Sequence, residues 1–209
     1  MDSEARSVTM TPPASEPTHP HLMHELRRLS EGAWHDALHL AELQAELVRS
    51  VMPWRPRLST ELLERLPHIH VERSADLPVA GTARWDGECW IVELNSADSP
   101  QQQRWTLLHE IKHIIDHPRR NSIYGGRSPL EAAELAERAA DFFAVAALMP
   151  ERAVMVAWRL GLRHPPKLAA HFDVAEGAAR LRLHQIGLTD HYLRSRRTDC
   201  GWHRTEFAT

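Results

Sequence analysis

The sequence predicts an α+β fold, mainly helical, with a small antiparallel sheet ahead of two long central helices and a helical extension behind them. Three observations carry this. Between His68 and Leu94 the apolar pattern shifts to short runs of β-branched and aromatic residues. Ser99-Pro100 and Ser128-Pro129 each place an N-cap serine before a proline at the first helical position. Beyond Pro150, short amphipathic segments alternate with glycine stops at Gly161 and Gly187.

Taken in order, residues 1–20 are rich in Ser, Thr, Pro and Glu and poor in large apolar groups, the composition of a disordered leader. Residues 21–66 read as N-terminal helices. Leu26, Leu29 and Trp34, then Leu38, Ala41, Leu43 and Leu47, recur at helical spacing, with Gly32 as a break and a short helix from Thr60 to Leu66. Strands are expected at His68–Glu72, Thr82–Trp85 and Glu88–Leu94, the last two joined by an Asp86-Gly87 turn. The first long helix follows Ser99 with Gln102 in capping-box position, and carries Leu107, Leu108, Ile111, Ile114 and Ile115 to one side. The second follows Ser128 with Glu131 as its capping-box partner. It is dense in alanine (132, 133, 136, 139, 140, 144, 146, 147), so its backbone can approach a neighbour closely. Residues 118–127 form the loop between them, and residues 67–150 the core domain. Residues 151–190 form a helical extension and 191–209 a tail without clear period.

Composition narrows the function. The chain has 209 residues, 43% of them hydrophobic, with 25 basic against 28 acidic side chains. A net charge of −3 and a pI near 6.6 argue against a surface built as a whole for nucleic acid or anionic membrane. Cys89 and Cys200 are too few for a disulfide framework or a cysteine zinc module, which points to the cytoplasm. No stretch reaches the roughly 18 apolar residues of a membrane helix, and residues 1–20 lack the apolar centre of a signal peptide. The unusual number is 15 histidines.

Two of them have ligand spacing. His109-Glu110-Ile111-Lys112-His113 is an H-E-x-x-H on the first long helix. Residues four apart on a helix sit about 40° apart around the axis and ~6 Å along it, so both imidazoles can reach one ion. Glu110 lies a further step round, placed to hold a water and move its proton, which is zinc-hydrolase chemistry. A catalytic zinc needs a third protein ligand and an open position. Glu137, in the middle of the alanine-rich partner helix, is the best candidate and Glu134 the second. Asp141, one turn beyond Glu137 on the same face, is placed to accept a hydrogen bond from the free Nδ1 of a ligand histidine. His117 continues the series but would lie ~12 Å from His109, too far to share the ion. Tyr124, between the two helices, is a candidate oxyanion stabiliser.

These motifs resemble the ImmA/IrrE metallopeptidases. The resemblance rests on Leu77-Pro78-Val79-Ala80-Gly81, on Trp90 through Asn95, on Arg104 through His113, on Glu137 through Ala144, and on Leu148-Met149-Pro150. It spans roughly residues 70–150. It implies a zincin-like metallopeptidase fold, Zn2+ on His109, His113 and Glu137, Glu110 as general base, and cleavage of a partner transcriptional repressor. The chain departs from many members in having Ala139 where they carry a second acidic residue. Glu137 is placed as ligand because its four-residue spacing to Asp141 resembles the Glu-x-x-x-Asp element of related zinc peptidases, with Glu134 or Asp141 as the alternatives. A peptidase of this type takes substrate as an added strand on a sheet edge, for which Glu88–Leu94 is the candidate.

The extension offers a rival function. Lys167–Leu181 has helix-turn-helix spacing, and Arg159 to Arg197 holds eight basic residues against three acidic. The second helix, however, carries only Arg180 and Arg182 and no early Asn, Gln or Lys for base edges. Packing or partner binding is therefore expected ahead of DNA reading. The two functions that stand are a zinc endopeptidase acting on a helix-turn-helix repressor, and a catalytically idle regulator that binds a protein or DNA.

Overall fold

The computed structural model describes residues 21–31, 36–52 and 55–188. The leader, the Gly32 break and the tail lie outside the described residues. Two N-terminal helices, α1 (Leu22–Leu29) and α2 (Ala37–Ser50), precede a single turn, α3 (Glu61–Glu64). Asp36 caps α2 by accepting from the backbone N–H of Leu38 and His39. The buried face of α2 is Ala37, Leu40, Ala41, Gln44, Ala45 and Val48; of the expected Leu38, Ala41, Leu43 and Leu47, Ala41 lies on it and the three leucines are half-buried beside it. α2 packs on an alanine-rich helix, and its own Ala37, Ala41 and Ala45 let the two backbones approach closely.

The strands are β1 (Ile69–Ser74), β2 (Gly81–Trp85) and β3 (Trp90–Asn95), in the order β1-β3-β2. The β2–β3 pair is the antiparallel hairpin that the Asp-Gly turn predicts, but β1 runs parallel to β3, so the sheet is mixed rather than antiparallel throughout. The turn is also longer than expected. Trp85 pairs with Trp90, and Asp86 Oδ1 accepts from the N–H of both Glu88 and Cys89, with Gly87 at φ 109°. Gly81 is needed for contact with the next helix: a Cβ there would lie 2.4 Å from Cγ2 of Thr106.

The two long helices are α4 (Pro100–Asp116) and α6 (Pro129–Leu148). Ser99 Oγ accepts from Gln102 N–H, while the Gln102 amide turns to Thr106, so only half a capping box forms. At Ser128 and Glu131 the box is complete. Between the helices, the expected loop is mostly helical: a 3₁₀ turn (His117–Arg119) runs into α5 (Arg120–Tyr124). Leu107, Leu108, Ile111, Ile114 and Ile115 of α4 and Ala140, Phe143, Ala144 and Ala147 of α6 are all buried, and α6 packs against both α4 and α2.

The extension comprises α7 (Glu151–Arg159), α8 (Pro165–Phe172) and α9 (Glu176–Gln185). Arg182 fastens it to the rest. Its side chain is 0% exposed; Nε donates to the Met149 carbonyl at 2.9 Å, and Nη1 and Nη2 reach the two carboxylate oxygens of Glu42 on α2 at 3.0 and 2.6 Å. Breaking a buried pair by deleting one partner costs about 3–5 kcal/mol. Arg180 pairs with Glu176 one turn earlier. Of the two arginines of the expected recognition helix, Arg182 is therefore committed within the protein, while Arg180 is in an exposed pair.

Asp173 ties the extension to the start of α4. It ends α8 in the left-handed region, φ 53°, where glycine is the usual residue. Its carboxylate accepts from Gln101 at 2.8 Å and Arg104 at 2.6 Å and pairs with Arg57. Burial pushes its pKa up, but the bonds from Gln101 and Arg104 and the charge of Arg57 outweigh this and hold it below the ordinary aspartate value. A depressed carboxylate pKa contributes stability that is present above the unfolded value, about 3.9, and lost as pH falls through the native one. Asp173→Asn is thus expected to be less stable than wild type in urea at pH 7, the gap closing as pH drops below about 4. A gap independent of pH would contradict this assignment.

Candidate metal centre

Helix α4 presents His109 and His113 one turn apart, and the packing of α6 alongside brings Glu137 opposite them. The Nε2 atoms of the two histidines are 3.1 Å apart. Glu137 Oε2 is 3.4 Å from His109 Nε2, and Oε1 is 3.3 Å from His113 Nε2. Three donors about 2 Å from one tetrahedral ion are separated by about 3.3 Å, so the cluster has the dimensions of a three-ligand face with a fourth position free. Among the described residues it is the one His/Cys/Asp/Glu group that could hold a metal ion in this way. The geometry brings together the residues whose spacing suggested a ligand set. Glu134, the second choice, is exposed and outside the cluster.

Asp141 meets the other side of His109. Nδ1 donates to Asp141 Oδ1 at 2.9 Å, so that Nε2 is the nitrogen that faces the cluster and that a metal would bind in place of its proton. Trp105, one turn earlier on α4, lies against the same imidazole with ring centroids 5.1 Å apart. Burial alone would lower the His109 pKa; the bonds to Asp141 and Glu137 and the nearby charge of Glu110 reverse this and raise it to about 9. Burial likewise pushes Glu137 up, and the two histidines overcome it, bringing Glu137 down to about 2. Both shifts express one preference: the carboxylates favour positive charge at the imidazole pair, the preference a metal cation satisfies.

Glu110 is buried beside the cluster, and among the described residues its carboxylate has no hydrogen-bond partner. Burial raises its pKa against the pull of His109 and His113. A carboxylate so placed is a better proton acceptor than a solvated one.

Three sequence expectations fall elsewhere. Tyr124 is 2% exposed, and its hydroxyl donates to Asp116, so it is withdrawn from the cleft and not available to stabilise an oxyanion. Burial and the Asp116 charge push its pKa far above the ordinary value. His117 is exposed at the end of α4, edge-on to Trp90 at 5.0 Å and apart from the cluster. The substrate edge cannot be Glu88–Leu94, because β3 is paired on both sides; among the described residues the free edge nearest α4 is β2.

Sequence reasoning missed the buried trio beneath the motif. Lys112, within the H-E-x-x-H, and Tyr124 both bond Asp116 Oδ2, and all three side chains are buried. The four-residue spacing of Lys112 and Asp116 was the available signal.

The comparisons with known proteins fit this geometry. The model of the peptidase M78 family, the IrrE N-terminal-like domain, matches residues 69–184, more than half of the chain. The chain therefore belongs to that family. A solved structure of a Mycobacterium tuberculosis transcriptional regulator is similar in fold, with a TM-score of 0.56 and 20% identity over 78% of this chain and 52% of that one. The chain thus spans about half the length of that regulator. No curated protein sequence gives a match.

Asp141→Asn is expected to weaken metal binding by about 10–100-fold, because His109 loses the partner that fixes its tautomer. Glu134→Gln is expected to leave it unchanged. Competition with a chromogenic chelator reads both; equal loss in the two variants would contradict the arrangement.

Proposed function

We propose that the protein is a cytoplasmic zinc endopeptidase that cleaves a partner regulatory protein, a helix-turn-helix repressor, with His109, His113 and Glu137 as ligands and Glu110 as general base. The observation that carries the reading is the convergence of two imidazole nitrogens and one carboxylate, 3.1–3.4 Å apart, beside the buried Glu110. Membership of a peptidase family supports it. No helix among the described residues is long and apolar enough to cross a membrane.

Zinc bound here would supply Lewis acidity to the scissile carbonyl and to water. The remaining roles belong to side chains. Asp141 holds His109 in the tautomer whose Nε2 is free. The Glu110 carboxylate accepts a proton from the attacking water and returns it to the leaving amine nitrogen. The free edge of β2 offers backbone N–H and C=O groups to an extended substrate, which aligns the peptide along α4. The rival reading, DNA binding through α8 and α9, loses support because Arg182, one of the two arginines of α9, is buried on Glu42.

The test is incubation of the zinc-loaded protein with helix-turn-helix repressors encoded near it, beside Glu110→Gln. Wild type is expected to cut one repressor at one bond, and the variant to retain zinc but lose at least about 100-fold in rate. Equal behaviour of the two proteins would contradict the proposal.

A further inference from the structure

The β2–β3 register sorts side chains by face. Gly81, Ala83 and Trp85 pair with Leu94, Val92 and Trp90, and alternate residues of a strand share a side. Gly81 abuts Thr106, so this whole set faces α4. Along that face the β2 residues run from nothing, through a methyl, to an indole. Gly81 lies by Thr106 before the first ligand histidine, while Trp90, the cross-strand partner of Trp85, meets His117 one turn beyond the second. The metal centre therefore lies beside the small residues and the tryptophan pair just past it.

Trp85 is 51% exposed, although it is the largest side chain of β2. Its ring sits 5.7 Å from that of Trp90 at 58°, and Trp90 in turn meets the His117 imidazole edge-on. A singly exposed apolar residue needs no explanation. This one stands on a sheet edge that is unpaired among the described residues, next to the helix that carries the ligands, and continues inward as an aromatic wall. Residues on one face of an extended peptide recur about every 6.6–7 Å, close to the ~6 Å rise between His113 and His117.

We propose that Trp85, backed by Trp90 and His117, forms a subsite for a large apolar side chain, aromatic or aliphatic, one or two residues from the scissile bond of a peptide laid along β2. This rests on the endopeptidase reading and deepens it. Trp85 is a specificity residue that touches substrate; it has no part in the proton transfers at Glu110. The neighbouring charges lie off this face: Arg84 pairs with Glu93 on the opposite side of the sheet, and Asp86 bonds the turn backbone. A charged substrate side chain would lose hydration against the two indoles, a cost that an apolar one does not bear.

The experiment uses the full chain loaded with zinc and a randomised decapeptide library. Cleavage products of wild type and Trp85→Ala are sequenced by mass spectrometry. Binding of individual uncut peptides to zinc-loaded Glu110→Gln, with and without Trp85→Ala, is measured by fluorescence anisotropy. The expected result is enrichment of Phe, Leu or Met at one position near the cut, lost in Trp85→Ala and kept in Trp85→Phe. KM for such peptides should rise about tenfold with kcat changed less than about twofold. Adding Trp85→Ala to Glu110→Gln should lower affinity by the same factor for Phe peptides and not at all for Ser peptides. Cleavage without apolar preference, or preference unaffected by Trp85→Ala, overturns the subsite and leaves the endopeptidase standing. Trp85-dependent apolar binding without cleavage by wild type keeps the subsite and overturns the endopeptidase. Neither cleavage nor Trp85-dependent binding overturns both.

Discussion

Close approach of α6 to α4 is the constraint on which the rest depends. Glu137 is useful only if its carboxylate arrives within about 3.4 Å of two imidazoles on another helix, and that distance is set by what lies between the two backbones. Alanine at 140 and 144, on the helix face that Glu137 shares, keeps the interface thin, while Ala136 and Ala139 pack with Ala37, Leu40, Ile123 and Tyr124 and the capping box at Ser128, the 3₁₀ turn and α5 fix where α6 begins. A methylene added to such a packed face costs typically about 1–3 kcal/mol and shifts backbones. Here it would also move a carboxylate relative to two nitrogens.

The site is expensive for the fold. His109 and Glu110 are buried, Glu137 and Asp141 border them, and Lys112 and Asp116 are enclosed one turn away. Charges taken from water are favourable only when paired, and even then the balance is close to neutral. The arrangement therefore contributes little to stability and much to specificity: it favours a cation between the imidazoles and, among the described residues, leaves the Glu110 carboxylate without a hydrogen-bond donor. Stability comes instead from the apolar layer formed by α2, α4 and α6, and from two polar fastenings, Arg182 to Glu42 and Asp173 to Arg104, that attach the extension to its two sides.

Local rules made much of this legible. Ser99-Pro100 and Ser128-Pro129 mark where both helices start, and the four-residue periods of His109 with His113 and of Glu137 with Asp141 put each pair on one helix face from spacing alone. What failed depended on partners distant in sequence. The order β1-β3-β2 makes β3 the middle strand, although adjacency to α4 made it look like the edge, because nothing in His68–Glu72 says that it pairs in parallel with Trp90–Asn95. Tyr124 lies in the right segment, but its hydroxyl bonds Asp116, a side chain that composition cannot orient. Arg182 counts as surface charge until Glu42, 140 residues away, is brought to it.

The central claim is that one ion is held by two imidazoles from α4 and one carboxylate from α6. X-ray absorption spectroscopy of the zinc-loaded protein tests it most directly. The account predicts one zinc per chain, with two imidazole nitrogens at about 2.0–2.1 Å, oxygen ligands at about 2.0–2.2 Å and no sulfur, and loss of the ion when Glu137 and His113 are both replaced by alanine. A single imidazole, a sulfur ligand, or zinc that survives that double replacement would contradict it.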